Sequence, residues 1–256
     1  MRIGSYNINS IRMRETQLLE WIRKADPDVI CLQETKVTDD EFPTDELMRL
    51  GYAVAMAGQP TYNGVAIVAR LPIKDVRVGL VGDLPNADRR AISATVGGVR
   101  VVNVYVPNGK SVTSPSFVEK LSWLERLRLT LDTLEDPKQP LALCGDFNIC
   151  TDERDVYDPE LYRGQLHFHP DERRQLARLL QFGLFDAFRL RHDEGGVYSF
   201  WDYRAGAFRR NEGLRIDYVF VTEPLVPRLL RADIDSEPRH AQKPSDHAPV
   251  LVDIKD

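Results

Sequence analysis

The chain has 256 residues, 43% of them hydrophobic and 29% charged, with a formal net charge of −5. This is an ordinary globular composition, long enough for a substantial core, and no run approaches the ~18 apolar residues of a membrane-spanning helix. The acidic balance argues against a protein that coats nucleic acid by charge alone, since such proteins are usually basic. It does not exclude an enzyme whose carboxylates cluster at one metal site.

The three cysteines are an odd number, which argues for free thiols rather than a full set of disulfides. Cys31 and Cys144 lie inside apolar runs, as core thiols do in a reducing compartment. The first residues run directly into a predicted strand and lack the pattern of a signal peptide. We therefore expect a cytoplasmic protein that does not associate with a membrane.

The amino-terminal part of the chain alternates predicted strands with a helix. Residues 2–9 alternate as a strand does, and the spacing of apolar residues predicts a helix over residues 12–24. A second apolar run, residues 28–33, ends at Glu34. A turn then leads into a predicted strand over residues 65–68.

The remaining segments continue this mixture of elements. Residues 91–106 predict a β-hairpin with a tight glycine turn, residues 116–134 a long helix with one apolar face, and residues 141–145 a buried strand. Three later elements are predicted: a helix over residues 171–182 and strands over residues 214–221 and 250–254. Because strands and helices are interspersed, one mixed α/β domain spanning residues 1–256 is favoured over a purely parallel doubly wound sheet.

The strand at residues 141–145 is followed at once by two polar side chains, Asp146 and Asn148. Ligands bind at strand ends in open α/β sheets, and residues two apart share one side while strand alternation persists. On its own, this motif fits equally well a strand followed by an Asx turn. Polar residues at the ends of other strands shift the balance towards a functional site.

Those other polar residues share one placement, beside the ends of predicted strands. They are Asn7, Glu34, Tyr105, and the triplet Ser245, Asp246 and His247, with Asp217 early in its strand. Glutamate after a single strand is usually a solvated loop residue, but this set would bring several oxygen ligands to one place. Such ligands suit Mg²⁺ or Mn²⁺, and no spacing of cysteines and histidines fits a structural zinc site. The glycine loop of nucleotide triphosphatases and the serine elbow of acyl hydrolases are also absent from the sequence.

Seven short motifs occur along nearly the whole chain: SYNIN (5–9), LQETK (32–36), GVA (64–66), YVPNG (105–109), GDFN (145–148), LRIDY (214–218) and SDHAP (245–249). In this order and at these spacings, the chain resembles the exonuclease III class of apurinic/apyrimidinic (AP) endonucleases, within the endonuclease/exonuclease/phosphatase superfamily. The resemblance implies a DNase I-like fold, a four-layered α/β sandwich of two mixed β-sheets flanked by helices. It places the active site at one edge of the paired sheets.

The resemblance also implies a metal site. Glu34 is the expected principal ligand, with Asn7, Asn9 and Asp246 near the metal, which is expected to be Mg²⁺ or Mn²⁺. Some members of the family carry a carboxylate at the position of Asn9, so this chain has one negative charge fewer there. A metal held by Glu34 would supply positive charge and polarise the leaving group.

The same resemblance assigns the catalytic roles. Asp146 is expected to orient or deprotonate the attacking water, and His247 to contact the scissile phosphate, with Asp217 fixing the imidazole ring. A carboxylate base and an oriented histidine suit the hydrolysis of a phosphodiester. Three further side chains are expected at the phosphate: Asn148, Tyr105 and Asn108.

Two groups of residues are expected to contact DNA. Phe200, Leu214 and Ile216 would ordinarily be core residues, but the resemblance makes them the wall of a pocket for an extrahelical abasic sugar. The basic residues would ordinarily be solvated, and beside such a site they are expected to contact the DNA backbone. They are Arg89, Arg90, Arg204, Arg209 and Arg210.

The sequence therefore predicts a metal-dependent AP endonuclease that cuts double-stranded DNA on the 5′ side of an abasic site in base excision repair. A 3′→5′ exonuclease and a 3′-phosphatase could share the site. One alternative is a superfamily phosphodiesterase or phosphatase with another substrate, and a second is a catalytically silent DNA-binding protein. We expect a monomer, associated with the nucleoid if the source is a prokaryote.

Overall fold

Twelve strands form two six-stranded sheets in the computed structural model, which describes residues 1–255. The first sheet has the order β11-β12-β1-β2-β4-β3, with bounds Leu229–Ile234, Val250–Ile254, Arg2–Asn7, Val29–Gln33, Val65–Ala69 and Ala53–Ala57. The second has the order β5-β6-β7-β8-β10-β9, with bounds Ile73–Val78, Ala91–Val96, Val99–Tyr105, Leu141–Asp146, Asp217–Thr222 and Leu184–Asp186. Both sheets contain parallel and antiparallel pairs, so the predicted mixed architecture is confirmed.

Helices cover the outer face of each sheet and complete four layers. The helices are α1 (Ile11–Ala25), α2 (Thr44–Arg49), α3 (Pro115–Leu134), α4 (Pro159–Tyr162), α5 (Pro170–Leu180) and α6 (Ala207–Arg210). One apolar cluster lies between the sheets, a second packs α1 and α2 on the first sheet, and a third packs α3 and α5 on the second. Among residues 1–255, none of the helices combines the length and the apolar character that crossing a bilayer requires.

The strand directions bring the predicted site residues to one edge of both sheets. β1 and β2 run parallel, so Asn7 and Glu34 come at the same end. β12 runs antiparallel to β1, so the segment before it, which includes His247, returns to that end. In the second sheet, Asp217 begins antiparallel β10 and pairs with Asp146 at the end of β8.

Buried amides tie the two sheets together near this edge. Gln33 of the first sheet donates from Nε2 to Oδ1 of Asn103 in the second, at 2.7 Å. Asn103 in turn donates from Nδ2 to the carbonyl oxygens of Leu32 and Ala66, each at 2.8 Å. A buried polar group without a partner is costly, so these reciprocal bonds fix how one sheet sits on the other.

Two predicted strands are shorter in the structure. The first ends at Asn7, and Asn9 beyond it has a left-handed backbone with φ +45°. The strand expected over residues 214–221 begins at Asp217, because Leu214 forms only isolated bridges with Val156 and Phe200. Both changes lie at the edge that carries the polar residues, where the regular ladder gives way to loops.

A buried ion network holds the segment after β8. Asp155 is fully buried, and its Oδ1 accepts from Nε of Arg215 at 2.7 Å and also from Arg189. The other oxygen accepts from Nη2 of Arg215 at 3.1 Å and from the backbone N–H of Thr151 at 3.1 Å. Burial alone would raise the pKa of Asp155, but the two arginines and these hydrogen bonds lower it to about 2.

Replacing Asp155 with asparagine is expected to lower the free energy of unfolding at pH 7 by about 3 kcal/mol, because Arg215 stays buried with one carboxylate partner fewer. In the wild type, the pKa of Asp155 is lower when folded than its unfolded value of about 3.9. Its contribution is therefore complete above pH 4 and lost as the pH falls towards 2. Urea unfolding across this range measures both effects.

The asparagine variant should lose less stability than the wild type between pH 4 and pH 2. Asp193, whose side chain is fully exposed, offers the matched control, and Asp193→Asn should change stability by no more than about 0.5 kcal/mol. Equal acid sensitivity of Asp155→Asn and wild type would contradict the role of this network.

Candidate active site

The converging strand ends surround a cavity of about 310 Å³. It is lined by Glu34, Tyr105, Asn108, Asp146, Asn148, His167, Phe200, Asp202, Tyr203, Arg204, Asp246 and His247. Residues from both sheets and from the loops after β8 and before β12 meet here. The structure therefore brings most of the predicted site residues together, although their chemical roles remain predictions.

Asp146 lies at the floor of this cavity with 1% of its surface exposed. Its Oδ1 accepts from the backbone N–H of Asn148 at 2.9 Å, and its Oδ2 accepts from Nδ2 of Asn7 at 2.9 Å. Burial raises the pKa of Asp146, while the nearby His247 opposes that rise. A buried carboxylate with a raised pKa is suited to taking a proton near neutral pH.

The approach of β7 to β8 beside Asp146 requires glycine at position 145. Gly145 has φ +149°, and a Cβ there would lie 1.9 Å from the carbonyl oxygen of Val104. Any side chain would push the two strands apart. The glycine in the GDFN motif is therefore a steric requirement for placing Asp146 at the cavity floor.

His247 and Asp217 form a buried pair next to Asp146. Nδ1 of His247 donates to Oδ2 of Asp217 at 2.8 Å, while Nε2 lies 3.7 Å from Oδ2 of Asp146. Burial lowers the pKa of His247, but the attraction of Asp217 and then of Asp146 outweighs it and raises the pKa overall. The imidazole is thus held protonated with Nε2–H turned to the cavity, as a donor to an anion.

Ser199 and Ser245 fix the backbone around this pair. Oγ of Ser199 accepts from the backbone N–H groups of Ile216 and Asp217, both at 3.0 Å. Oγ of Ser245 donates to the carbonyl oxygen of Asn7 at 2.7 Å and accepts from the N–H of His247 at 3.2 Å. The hydrogen bonds of these serines involve four separate chain segments, so the Asp217–His247 geometry does not depend on one loop.

Amide and hydroxyl groups form the opposite wall. Nδ2 of Asn108 donates to Oδ1 of Asn148 at 3.0 Å, and Nδ2 of Asn148 donates to the carbonyl oxygen of Val106 at 3.1 Å. Burial and the charge of Glu34 raise the pKa of Tyr105, so its hydroxyl stays neutral. These neutral donors can face the oxygens of a phosphate without adding charge.

Glu34 is ionised despite its burial. Nδ2 of Asn7 donates to its Oε1 at 2.8 Å, and Nζ of Lys36 lies 2.9 Å from its Oε2. Burial tends to raise the pKa of Glu34, but Lys36 and the Asn7 hydrogen bond lower it overall. Glu34 and Lys36 both have left-handed backbones, with φ +53° and +57°, a strain often stored at functional sites.

Asn9 connects this carboxylate to Asp246. Its Oδ1 accepts from Nζ of Lys36 at 2.6 Å, and its Nδ2 donates to Oδ1 of Asp246 at 2.9 Å. A carboxylate at this position would form an ion pair with Lys36. The amide of Asn9 instead bridges the ammonium of Lys36 and the carboxylate of Asp246. Asn9 therefore links Lys36 and Asp246 through hydrogen bonds.

The donor set of this cavity fits a divalent cation. One ligand atom each from Glu34, Asp146 and His247 lies within 4.8 Å of the others. Carboxylate oxygens are the ligands that Mg²⁺ and Mn²⁺ prefer. His247 is better suited to donating a hydrogen bond, because Asp217 and the other carboxylates raise the pKa of its ring. Glu34, shared by the observed cluster and the predicted ligands, is the natural centre of a metal site.

The predicted DNA-contacting arginines divide into two groups. The guanidinium of Arg90 lies 4.7 Å from the ring centroid of Tyr105, and Arg90 lines a neighbouring cavity of about 520 Å³. Arg204 lines the cavity that contains Asp146. Arg210 pairs with Glu212. Among the described residues, three of the predicted arginines line neither cavity: Arg89, Arg209 and Arg210.

The three residues expected to wall a sugar pocket are also divided. Phe200 lines the cavity and packs 5.0 Å from the ring of His247. Leu214 and Ile216 are 2% and 1% exposed and form a small cluster behind Phe200. Their position in the structure is that of supporting core residues, and a direct contact with a sugar stays a prediction.

Four residues in or beside the cavity carry no role in the sequence analysis: Lys36, His167, Asp202 and Tyr203. Lys36 is visible in the LQETK motif, where a lysine two residues after the predicted metal ligand could have suggested an ion pair. His167 lies in an irregular polar segment that gives no periodic signal. Its Nδ1 lies 2.7 Å from the carbonyl oxygen of Asn148, which can only accept, so Nδ1 carries the proton. Burial lowers the pKa of His167 to about 3, so the ring is neutral.

Comparison with known proteins places this geometry in a family. The model of the Endonuclease/Exonuclease/phosphatase family matches residues 4–247. Exodeoxyribonuclease III of Haemophilus influenzae is 36% identical, with both chains fully covered. A 3′ phosphatase from Neisseria, solved with a product DNA hairpin, is 40% identical with a TM-score of 0.95, and an AP endonuclease from Archaeoglobus fulgidus is 37% identical with a TM-score of 0.97, each with full coverage of both chains. This chain belongs to the endonuclease/exonuclease/phosphatase family.

Proposed function

We propose that this protein is a metal-dependent nuclease that hydrolyses the phosphodiester on the 5′ side of an abasic site in double-stranded DNA. The products are a 3′-hydroxyl and a 5′-deoxyribose phosphate. The observation that carries the proposal is the meeting of Asp146, the Asp217–His247 pair and the Asn108–Asn148 amides in one cavity. Full-length similarity to exodeoxyribonuclease III and to an AP endonuclease supports it.

Each side chain of the cavity has a separate role in the proposed hydrolysis. Asp146 orients a water molecule and takes its proton, a role that its raised pKa favours. His247 donates from Nε2 to a phosphate oxygen, with Asp217 holding the other side of the ring. Asn148 and Tyr105 supply neutral donors to the remaining oxygens, as the spread of charge over a phosphoryl group requires.

Glu34, Asn7, Asn9 and Asp246 are the residues proposed to hold the cation, which we take to be Mg²⁺ or Mn²⁺. When bound, the cation supplies positive charge to the phosphate and to the departing 3′ oxygen. The side-chain oxygens of the two asparagines already accept hydrogen bonds, since Oδ1 of Asn7 accepts from the N–H of Asn9 and Oδ1 of Asn9 accepts from Nζ of Lys36. We therefore assign direct ligation to the carboxylates Glu34 and Asp246, with the asparagines orienting them.

Removal of a 3′-terminal phosphate is the second candidate activity. It uses the same water, acid and phosphate donors but requires no extrahelical sugar. His167 and Phe200 line the same cavity, so a neutral imidazole occupies part of the wall at which such a sugar is expected. The relative from Neisseria that is 40% identical is itself named a 3′ phosphatase. A 3′→5′ exonuclease activity has the same chemical requirements at a strand end.

The proposal is tested with three labelled duplexes: one with a tetrahydrofuran abasic analogue, one with a 3′-phosphate at a nick, and one intact. With Mg²⁺ we expect a single cut 5′ to the analogue, release of the 3′-phosphate, and sparing of the intact interior strand. EDTA should abolish all of these reactions. Mn²⁺ in place of Mg²⁺ identifies which ion supports the faster rate.

Each departure from this pattern has a defined meaning. Release of phosphate without cutting at the analogue would restrict the function to 3′ ends. Equal cutting of the abasic and intact duplexes would remove the abasic specificity. Competition by inositol phosphates but not by DNA would favour a phosphatase with another substrate, and metal-independent DNA binding without hydrolysis would favour the silent alternative.

We further propose that residues 1–256 act as one domain and as a monomer. The apolar cluster between the two sheets is continuous and draws buried side chains from ten of the twelve strands. Sedimentation or light scattering at micromolar concentration should give the mass of one chain, 29.2 kDa. A dimer mass would contradict the monomer.

A further inference from the structure

A buried lysine lies directly beneath the phosphate-facing amides. Lys120 is on α3 and has no exposed surface. Its Nζ donates to the carbonyl oxygen of Asn148 at 2.7 Å, to that of Asn108 at 3.2 Å, and to Oε1 of Glu172. An ammonium has three N–H donors, so these acceptors satisfy it completely.

The two carbonyls belong to different loops of the second sheet. Asn108 follows β7 and Asn148 follows β8, and their side chains are joined by the 3.0 Å hydrogen bond in the cavity. Asn148 also has a left-handed backbone with φ +54°, which is uncommon outside glycine. Lys120 thus holds both loops from below while their carboxamides face the cavity above.

Glu172 fixes the position of the ammonium from α5. Its side chain is fully buried, and its Oε2 accepts from the backbone N–H of His169 at the start of that helix. Burial lowers the pKa of Lys120 and raises that of Glu172, and each opposes the effect on the other through their attraction. Helices α3 and α5 are therefore joined by one ion pair. The two N–H groups of Lys120 that Glu172 does not accept from donate to the active-site loops.

We propose that Lys120 is a positioning residue, which sets the carboxamides of Asn108 and Asn148 for the phosphate by holding their backbone carbonyls. The inference rests on the phosphate-binding role of these amides proposed above. Lys120 itself is shielded from substrate, since it has no exposed surface. It acts through the two asparagines and is not a catalytic residue.

The test replaces the ion pair with a neutral pair of similar shape, Lys120→Met with Glu172→Gln. Removing both charges of a buried pair is often neutral for stability, and glutamine keeps an acceptor for the N–H of His169. We expect kcat to fall by about 10- to 100-fold, as displaced catalytic geometry produces. KM for duplex DNA should change by less than about threefold, because contacts along the backbone dominate it.

A thermodynamic cycle with Asn148→Ala separates positioning from a purely structural role. In the wild-type background this substitution should cost about 10²–10³-fold in kcat. In the Lys120→Met/Glu172→Gln background it should cost at least tenfold less, because the amide is already misplaced. Losses that multiply independently would overturn the proposal.

Two further variants control for stability. Arg126 on α3 pairs with Asp83, so Arg126→Met with Asp83→Asn removes an ion pair of the same helix and should keep kcat within about threefold even if the melting temperature falls. Arg100 and Glu135 form another largely buried pair, at the far end of β7, and Arg100→Met with Glu135→Gln should likewise leave kcat unchanged. Equal loss of kcat in any of these controls and in the test variant would overturn the proposal.

A readout without substrate distinguishes this inference from the proposed function. The side-chain NH₂ resonances of Asn108 and Asn148 in nuclear magnetic resonance spectra should shift or broaden in Lys120→Met/Glu172→Gln. They should be unchanged in Arg100→Met/Glu135→Gln. If wild type hydrolyses no DNA while these shifts occur, the function is wrong and the positioning stands. Unmoved resonances would reject the positioning whatever the activity.

Discussion

Asp146→Asn is expected to lower the rate of abasic-site cleavage by about 10³-fold, within the range by which general bases accelerate reactions. Asparagine cannot take a proton from water. It also mismatches the hydrogen bonds, because both oxygens of Asp146 accept from N–H groups. Oδ1 accepts from the backbone of Asn148, and Oδ2 accepts from the side chains of Asn7 and Asn148. An amide NH₂ in either position meets a donor. Single-turnover cleavage of the tetrahydrofuran duplex measures the effect.

DNA affinity of this variant should stay within a few-fold of wild type. The carboxylate is 1% exposed and sits at the cavity floor, away from the basic residues at the rim. Asp132→Asn is a matched control, since Asp132 is an exposed partner of Arg128 on α3 and should not affect cleavage. A cleavage rate for Asp146→Asn near that of wild type would show that another group activates the water.

The raised pKa of Asp146 also predicts how the stability of Asp146→Asn, compared with wild type, depends on pH. The pKa of Asp146 is higher in the folded chain than in the unfolded one, so ionising it costs stability as the pH rises above about 4. Asparagine has no such cost. The hydrogen-bond mismatch of the amide does not depend on pH, so we expect the melting temperature of the variant, relative to that of wild type, to rise between pH 5 and pH 8, measured by calorimetry without added metal. A difference that stays constant over this range would contradict the assigned burial cost.

Much of the site could be predicted because its residues follow buried strands. The runs before Glu34 and Asp146 are largely apolar, as expected for strands covered on both faces, whereas the strand that ends at Asn7 alternates. Parallel strands then bring such ends to one edge. The order of the motifs, through their resemblance to a family, predicted the other site residues and the two-sheet architecture. The structure confirms that architecture.

The strands that could not be predicted are β3, β5, β9 and β11, and all four are edge strands. β5 has five exposed residues out of six, and its pairing is irregular between Lys74 and Arg77. β11 is likewise bulged, between Leu229 and Arg231. β5 and β11 keep charged side chains and bulges that discourage pairing with other chains, so they lack the apolar pattern that marks a central strand. β3 is apolar, but three of its five residues are alanine, which is depleted in strands.

Lys120 shows a signal that sequence reasoning could have used. Phe117, Lys120, Leu124 and Leu127 follow the three- and four-residue spacing of one helix face, so the lysine falls on the buried stripe of α3. A charged residue there needs a buried partner. The partner, Glu172, lies 52 residues later on another helix, and no local pattern connects the two.

Asp217→Asn is expected to lower the cleavage rate by about 10²–10³-fold, the effect of losing one well-placed donor to a developing charge. Asparagine can still accept from Nδ1 of His247, because its oxygen can take the place of Oδ2. Its NH₂ would then occupy the site of Oδ1, which has no hydrogen-bond partner among the described residues. The orientation of the ring is thus retained while the negative charge is lost.

The loss should depend on pH in a way that separates charge from orientation. In wild type, Asp217 and then Asp146 raise the pKa of His247, so the ring stays protonated through neutral pH. Without Asp217 the pKa falls, and the ring loses the Nε2 proton as the pH rises, since Nδ1 keeps its own. The ratio of wild-type to variant rates should therefore be larger at pH 8.5 than at pH 6, where the variant is still partly protonated.

Asp233→Asn is the matched control, because Asp233 lies 3.6 Å from Nε2 of His192 at a partly exposed site far from the cavity. This change should leave the rate within about twofold at every pH, as surface substitutions away from a site do. A constant ratio for Asp217→Asn across the pH range would mean that Asp217 acts by orienting the ring alone. A ratio that grows with pH identifies the carboxylate as the group that keeps His247 charged for the phosphate.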